Sequence, residues 1–250
     1  MIFQNFGYNR VIPKVAGTST PNYVSGASVI YDFGYSTSYP GSGATVYDVS
    51  GNGINGTLAN SPTFSSGNGG YISLNGTNQR VSYSGYFNSA FTIQMCWRQP
   101  AGDWPGSGGK QYPGLAGQVN NNGAILGIDT GWPNSSGIYA QWWYGASGNT
   151  GGGVYIDVSA GVDIRNNWVL YTLSSNGTNS YKYYVNGTNV ATNTNTYDRT
   201  GYTPTNQSVY LGYSSWSSEY QLGAIMSYLV YPFQLSDSQV TQNYNIFSAR

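Results

Sequence analysis

The sequence predicts an all-β antiparallel sandwich closed by one short C-terminal helix. Three stretches carry that prediction. Residues 167–190 read NWVLYTLSSNGTNSYKYYVNGTNV: an apolar, aromatic run at 168–173, a polar turn at 174–180, a second run at 181–185, then an Asn186-Gly187 turn before 188–191. Asn-Gly adopts the positive φ angles that tight hairpin turns require, so the stretch reads as a β-meander. Tyr181, Tyr183 and Val185 fall on one face of it, Lys182 and Tyr184 on the other. Residues 91–97, FTIQMCW, alternate cleanly, with Phe91, Ile93, Met95 and Trp97 on one side and Thr92, Gln94 and Cys96 on the other. That is the pattern of a half-buried strand in an antiparallel sandwich. Near the end, Ser236 followed by Gln239 forms a capping-box pattern, and Val240, Tyr244 and Phe247 recur at helical spacing.

In chain order, residues 1–28 carry Arg10 and Lys14 but no acid, with Pro13, Pro21 and scattered Gly, Ser and Thr. They read as an extended N-terminal arm, packed either on its own domain or on a neighbouring subunit. Residues 29–250 form the single sandwich domain. Its first strand is 29–32, followed by the glycine-rich segment 39–64 and the strand at 91–97. A Gly/Pro-rich loop occupies 99–117, a strand 124–129, the aromatic strand IYAQWWY lies within 137–144, a glycine-rich turn covers 145–153 and a further strand 154–158. After the meander, 208–213 and 224–231 are strand-like. Four NGT triplets start at Asn55, Asn75, Asn176 and Asn186. Glycosylation of them would need a secretory route, so they read as turns.

Composition narrows the function classes. Only 7% of the 250 residues are charged, nine basic against nine acidic. Nucleic acid or an anionic membrane would call for a basic patch that this balance does not supply. Aromatic content of 16% argues against disorder. The one cysteine, Cys96, excludes an intramolecular disulfide and a Cys-based zinc site, and suits synthesis in a reducing cytoplasm. The N-terminus lacks a basic n-region and an apolar h-region of about 7–15 residues, and no apolar run approaches membrane-spanning length. With no histidine in the chain, Ser-His-Asp and Cys-His sites and His-ligated metals are excluded. Glycoside hydrolysis needs two carboxylates about 5–10 Å apart. Here the single glutamate is Glu219, and the nearest acid pair, Asp157 and Asp163, is separated by a turn through Gly161. The chain reads as non-enzymatic.

The Trp-led strand at 168, the NGT turn and the YYVNG strand resemble the central hairpins of laminin-G-like domains, which belong to the concanavalin A-like jelly-roll sandwiches. The string YPGSG…YDVSGNGINGTL from Tyr39 to Leu58, the string GGYISLNGTNQRV from Gly69 to Val81 and the ending YLVYPFQLSDSQVTQNYN are similar to a subset common in bacteriophage structural proteins. The resemblance covers residues 29–247 in outline and is weakest over 100–161. It implies a concanavalin A-like (laminin-G-like) antiparallel jelly-roll sandwich with an extended N-terminal arm and one short C-terminal helix.

Site expectations follow from the same strings. Domains of this kind often hold Ca²⁺ through loop Asp and Asn oxygens, which makes Asp48 and Asn52 the metal candidates. Relatives carry FDGTND where this chain has LNGTNQ, so Asn75 and Gln79 replace two carboxylates and calcium binding is expected to be weak or absent. The competing and preferred reading is that Asp48 caps the turn at 50–53. No other cofactor is implied. Trp104, Trp132 and Trp216 lie among Gly, Pro and Ser and are the candidates for carbohydrate or protein contact, whereas Trp97 and Trp168 read as core. Trp142 and Tyr144 share one strand face and Trp143 takes the other, so the three cannot form one platform.

The function that the resemblance implies is a non-enzymatic virion structural protein: a bacteriophage capsid decoration or appendage subunit, made in the host cytoplasm and carried on the virion. Its partners would be neighbouring virion proteins or further copies of itself, with the arm, including Arg10 and Lys14, as the virion anchor. The alternative is a lectin-like, carbohydrate-binding adhesin on a viral tail or bacterial surface, touching host glycans. Neither reading involves nucleic acid or a membrane.

Overall fold

The computed structural model describes residues 21–98, 114–118, 126–127, 137–144, 150–157, 167–193, 205–214 and 218–250. The first strands are β1 (Val29–Asp32), β2 (Thr45–Val46), β3 (Gly56–Ala59), β4 (Thr63–Ser65), β5 (Tyr71–Asn75), β6 (Arg80–Gly85), β7 (Ala90–Arg98), β8 (Gly114–Gln118) and β9 (Leu126–Gly127). They are followed by β10 (Gly137–Tyr144), β11 (Thr150–Asp157), β12 (Trp168–Asn176), β13 (Tyr181–Val185), β14 (Thr188–Asn193), β15 (Gln207–Leu211), β16 (Tyr213–Ser214), β17 (Glu219–Tyr220) and β18 (Leu222–Tyr231). Helix α1 spans Asp237–Ser248.

An eight-stranded sheet runs β14-β13-β12-β7-β18-β5-β4, with β1 added beside β18, and a six-stranded sheet runs β2-β3-β6-β15-β8-β9. Strand β18 is the hinge of the first sheet. One edge pairs β7; the other pairs β5 from Leu222 to Ile225 and β1 from Ser227 to Val230. The register with β7 shifts between Ile225 and Ser227, and the carbonyl of the intervening Met226 accepts the Phe33 N–H at 3.0 Å.

The inward faces of the two sheets meet in an aromatic core that includes Tyr31, Tyr83, Phe91, Ile93, Trp97, Tyr181, Tyr183, Val209 and Tyr228. Tyr181, Tyr183 and Val185 point into it and Tyr184 points away, as the alternation requires. The meander turn is as expected, with Asn186 and Gly187 at φ 51° and 78°.

Strand β7 differs from its expectation. Thr92, Gln94 and Cys96 are as buried as the residues facing the sandwich core. Helix α1 and residues 21–28 form a third layer on this second face, bringing Tyr23, Val24, Leu235, Val240 and Phe247 against Ile30, Cys96, Leu170 and Leu229. Several polar residues there bond across the layer. Asn243 donates to Gln94 Oε1 at 2.5 Å and to the Tyr231 hydroxyl at 2.9 Å, and accepts the Val24 N–H at 2.9 Å. Thr92 Oγ1 accepts the Leu235 N–H at 2.9 Å. Residues 21–28, assigned to the arm, thus pack on their own domain. The helix starts as the sequence indicates: Ser236 Oγ accepts the Gln239 N–H at 3.3 Å, and Gln239 Oε1 accepts the Ser236 N–H at 2.9 Å.

Two further differences concern glycine. Residues 150–153 belong to β11 rather than to a turn, because Thr150 to Gly153 pair in register with Tyr144 to Gln141 of β10, and ladder pairing outweighs glycine's weak strand preference. Similarly, β8 occupies the end of the stretch expected to be a loop, through its pairing with β15. Of the four NGT triplets, the one at Asn55 is no turn. It leads into β3, where a Cβ on Gly56 would lie 2.8 Å from Val46 and 3.1 Å from the Tyr31 ring, so close packing, rather than a turn, calls for glycine there.

Candidate functional site

The outer face of the six-stranded sheet carries no covering layer among the described residues. Alternation sends Val81, Tyr83, Val209 and Leu211 inward, and leaves Thr57, Ser82, Ser84, Ser208 and Tyr210 on the outside. Cross-strand register sets Thr57 beside Ser82, Ser82 beside Tyr210, and Ser84 beside Ser208, a hydroxyl-rich surface.

At one end of that face Arg80 sits among three tyrosines. Its guanidinium carbon lies 4.8 Å from the Tyr210 ring, 4.9 Å from Tyr213 and 5.9 Å from Tyr220, and Nη1 donates to the Tyr220 hydroxyl at 2.9 Å. Tyr213 meets Tyr210 edge-on at 5.2 Å and Tyr220 at 4.5 Å. Residues 210 and 213 would face opposite ways on a continuous strand. Gly212, at φ 74°, breaks the strand and turns Tyr213 back beside Tyr210. All four side chains are half-buried. Each guanidinium–ring contact contributes about 0.5–1 kcal/mol at such exposure, so the cluster is held in shape before any ligand arrives.

A second cluster lies at the same end of the molecule, on the outer face of the eight-stranded sheet. Arg98, the last residue of β7, lies 5.2 Å from the Tyr71 ring and 5.0 Å from that of Trp168, and the two rings are 5.1 Å apart. This corrects the reading of both tryptophans as core. Trp97 is fully buried, whereas Trp168 is half-buried on the opposite face, beside Arg98 in register. Leu222, the first residue of β18, is 37% exposed.

Asp48 is where the turn reading placed it. Oδ1 accepts the N–H groups of Ile30 and Ser50, both at 2.9 Å; Oδ2 accepts the Ser50 hydroxyl at 2.8 Å and the Ile54 N–H at 3.1 Å. Asn52 turns its amide nitrogen to the carbonyls of Ala27 and Ser28, at 3.0 and 3.2 Å. The carboxylate thus ties β1 to the 48–54 loop, and Ca²⁺ would have to displace donors already in place. At the other position weighed for calcium, Asn75 Oδ1 gathers the N–H groups of Thr77, Asn78 and Gln79, and the Gln79 amide donates to the carbonyls of Asn60 and Ser61 at 2.9 and 3.0 Å. A carboxylate at 79 could not make those two bonds. Among the described residues no group of three His, Cys, Asp or Glu is gathered to hold a metal. Arg10, Lys14, Trp104, Trp132 and Trp216 lie outside the described residues.

A laminin-G family model, described as the concanavalin A-like lectin/glucanases superfamily, matches residues 66–241. The chain belongs to that superfamily. No curated sequence matches this superfamily member. Among solved structures it is similar to the binding domain of botulinum neurotoxin serotype G, with a TM-score of 0.67 at 14% identity, over 89% of this chain and 51% of the other. It is also similar to the binding domain of Paraclostridial Mosquitocidal Protein 1, with a TM-score of 0.66 at 15% identity, over 88% and 52%. The chain spans about half the length of these toxin domains. Domain 4 of AbnA, a GH43 extracellular arabinanase from Geobacillus stearothermophilus solved in complex with arabinotriose, aligns with a TM-score of 0.60 at 16% identity, over 87% of this chain and 97% of that one. At these identities the likeness is one of fold.

Proposed function

We propose that the chain is a non-catalytic recognition module that binds a glycan at the end of the sandwich where Arg80 sits among Tyr210, Tyr213 and Tyr220. The observation that carries this reading is the cluster itself: three half-exposed rings and a guanidinium, held rigid, at the edge of a hydroxyl-bearing sheet face. Sugar rings present flat C–H faces that pack on aromatic rings and hydroxyls that exchange hydrogen bonds with Arg, Ser and Thr. A fold shared with toxin binding domains and with an arabinotriose-bound domain supports recognition over catalysis. So does the employment of the described carboxylates, since Asp32, Asp48 and Asp237 are each committed to protein donors. A glycan array with the full chain tests the reading. Tyr213→Ala and Arg80→Gln are expected to weaken the strongest signal by about tenfold or more while the melting profile holds. A chain that binds no glycan, or variants that bind as the parent does, would sink it.

A second reading, compatible with the first, places the module on a virus particle as a decoration or appendage subunit. The phage-type string from Tyr39 to Leu58 favours it. Saturable co-sedimentation with particles lacking the protein is the expected outcome, and a chain left in the supernatant would count against it. The anchor role of the arm, with Arg10 and Lys14, is to be tested by deleting residues 1–20 only. A cut at 28 would also remove Tyr23, Val24 and Ala27 from the helix layer.

A further inference from the structure

Four cations have described side chains, and two of them are neutralised. Lys182 pairs with Asp237 at 2.8 Å, and Arg250 with Asp32 at 2.6 Å. Arg80 and Arg98 face aromatic rings and meet no carboxylate among the described residues. In a chain with so few charges, a guanidinium fixed between a tyrosine and a tryptophan, with no carboxylate partner among the described residues, is a specific feature.

Hydroxyl-bearing residues share the sheet face with Arg98. One transverse row of the eight-stranded sheet reads Thr63, Ser73, Ala224, Arg98 and Trp168, each beside the next in register. Ala224 is buried in that row, whereas Thr63 is exposed and Ser73 half-exposed, so their hydroxyls are the accessible ones. Tyr71, one alternation away from Ser73 on the same face, closes the row with its ring. The third layer leaves this end more open in the described structure: α1 and residues 21–28 cover Thr92, Gln94 and Cys96, whereas Arg98 and Trp168 remain half-exposed. A guanidinium forks two parallel hydrogen bonds to a carboxylate or sulfate, and adjacent rings take the apolar face of the group that carries it.

We propose that Arg98, Tyr71 and Trp168 form a second ligand site, on the opposite sheet from the Arg80 cluster, that takes the carboxylate or sulfate of an acidic saccharide. It rests on the reading of the chain as a glycan-binding module. Thr63 and Ser73 serve the sugar hydroxyls. Because the net charge is zero, little long-range attraction draws polyanions to the surface as a whole, so acidic selectivity at this site depends on the local guanidinium of Arg98.

The experiment measures binding of the full chain to oligogalacturonate, dextran sulfate and neutral dextran, alongside the best neutral ligand from the array. The parent is expected to prefer one or both acidic probes, with affinity falling as salt rises. Arg98→Gln should lose about tenfold or more of that affinity with an unchanged circular dichroism spectrum and melting point, and Arg98→Lys should restore part of it. Binding of the neutral ligand at the Arg80 cluster should be unaffected by either change. Acidic and neutral probes bound alike, or Arg98→Gln binding acidic probes as the parent does, would overturn this site and leave the recognition-module reading standing. A chain that binds no probe and no array glycan would overturn both.

Discussion

Arg250 grips Asp32 with both arms of its guanidinium, Nη1 to Oδ1 at 2.7 Å and Nη2 to Oδ2 at 2.6 Å, across 218 positions of sequence. Asp32 is fully buried, and its oxygens also accept the Gly34 N–H and the Tyr23 hydroxyl. Tyr35 and Phe247 flank the guanidinium at 5.0 and 5.4 Å. One ion pair therefore ties β1, the segment before it and the end of α1 together. Arg250→Met leaves a buried carboxylate without its cation and should cost about 3–5 kcal/mol, read as a lower urea midpoint. The double change Asp32→Leu, Arg250→Met should recover part of that loss. A single variant as stable as the parent would show that the pair does not hold the layers.

The polar seam under the helix predicts a different loss. Asn243→Ala strips the Val24 N–H of its acceptor and Gln94 Oε1 of a donor, both buried. Each orphaned group costs about 1–3 kcal/mol, so destabilisation of about 2–6 kcal/mol is expected, with faster amide exchange at Val24. Unchanged exchange there would mean that residues 21–28 are held by packing alone.

Local chemistry made much of this fold legible. The alternation of 91–97, the Asn186-Gly187 turn and the Ser236–Gln239 capping box depend on neighbours a few residues away, and they appear as read. The double burial of β7 does not, because what covers Thr92 and Gln94 arrives from residues 235–247. Trp168 looked like Trp97 because both begin or end apolar strands; only the register that puts Trp168 beside Arg98, on the outer face, separates them. The Arg80 cluster was hidden for another reason. Its partners are tyrosines in a chain with 25 of them, Arg80 and Tyr220 are 140 positions apart, and the turn at Gly212 that unites Tyr210 with Tyr213 breaks the strand period. Tryptophan, with seven copies, is the rarer and more conspicuous residue, and Trp104, Trp132 and Trp216 lie outside the described residues.

Gly223 is a position where one methyl group should matter. A Cβ there would fall 2.1 Å from Trp97 Cζ2, and that indole is fully buried with no room to retreat. Gly223→Ala should destabilise by about 1–3 kcal/mol or more through overpacking. Gly67→Ala, whose nearest foreign atom is 3.5 Å away, is the control and should stay within about 0.5 kcal/mol of the parent. Equal melting points for the two variants would contradict the packing of Trp97 against β18.

Alkaline pH should unfold the sandwich rather than titrate it. Burial holds the phenols of Tyr23, Tyr31, Tyr83, Tyr171 and Tyr228 above their ordinary value, and pushes the Cys96 thiol up to about 12. Each of these groups binds its proton more tightly folded than unfolded. The stability they contribute is complete below the unfolded values, 10.0 for tyrosine and 9.0 for cysteine, and drains away as pH climbs past them. Above pH 10.0 the tyrosinate absorbance of this group should therefore rise together with loss of near-ultraviolet circular dichroism, in one cooperative step. At neutral pH a thiol reagent should label Cys96 only as fast as the chain opens, since the sulfur is buried against Met226. Full tyrosinate absorbance with the near-ultraviolet spectrum intact, or rapid labelling of the native thiol, would show that water reaches the core without unfolding.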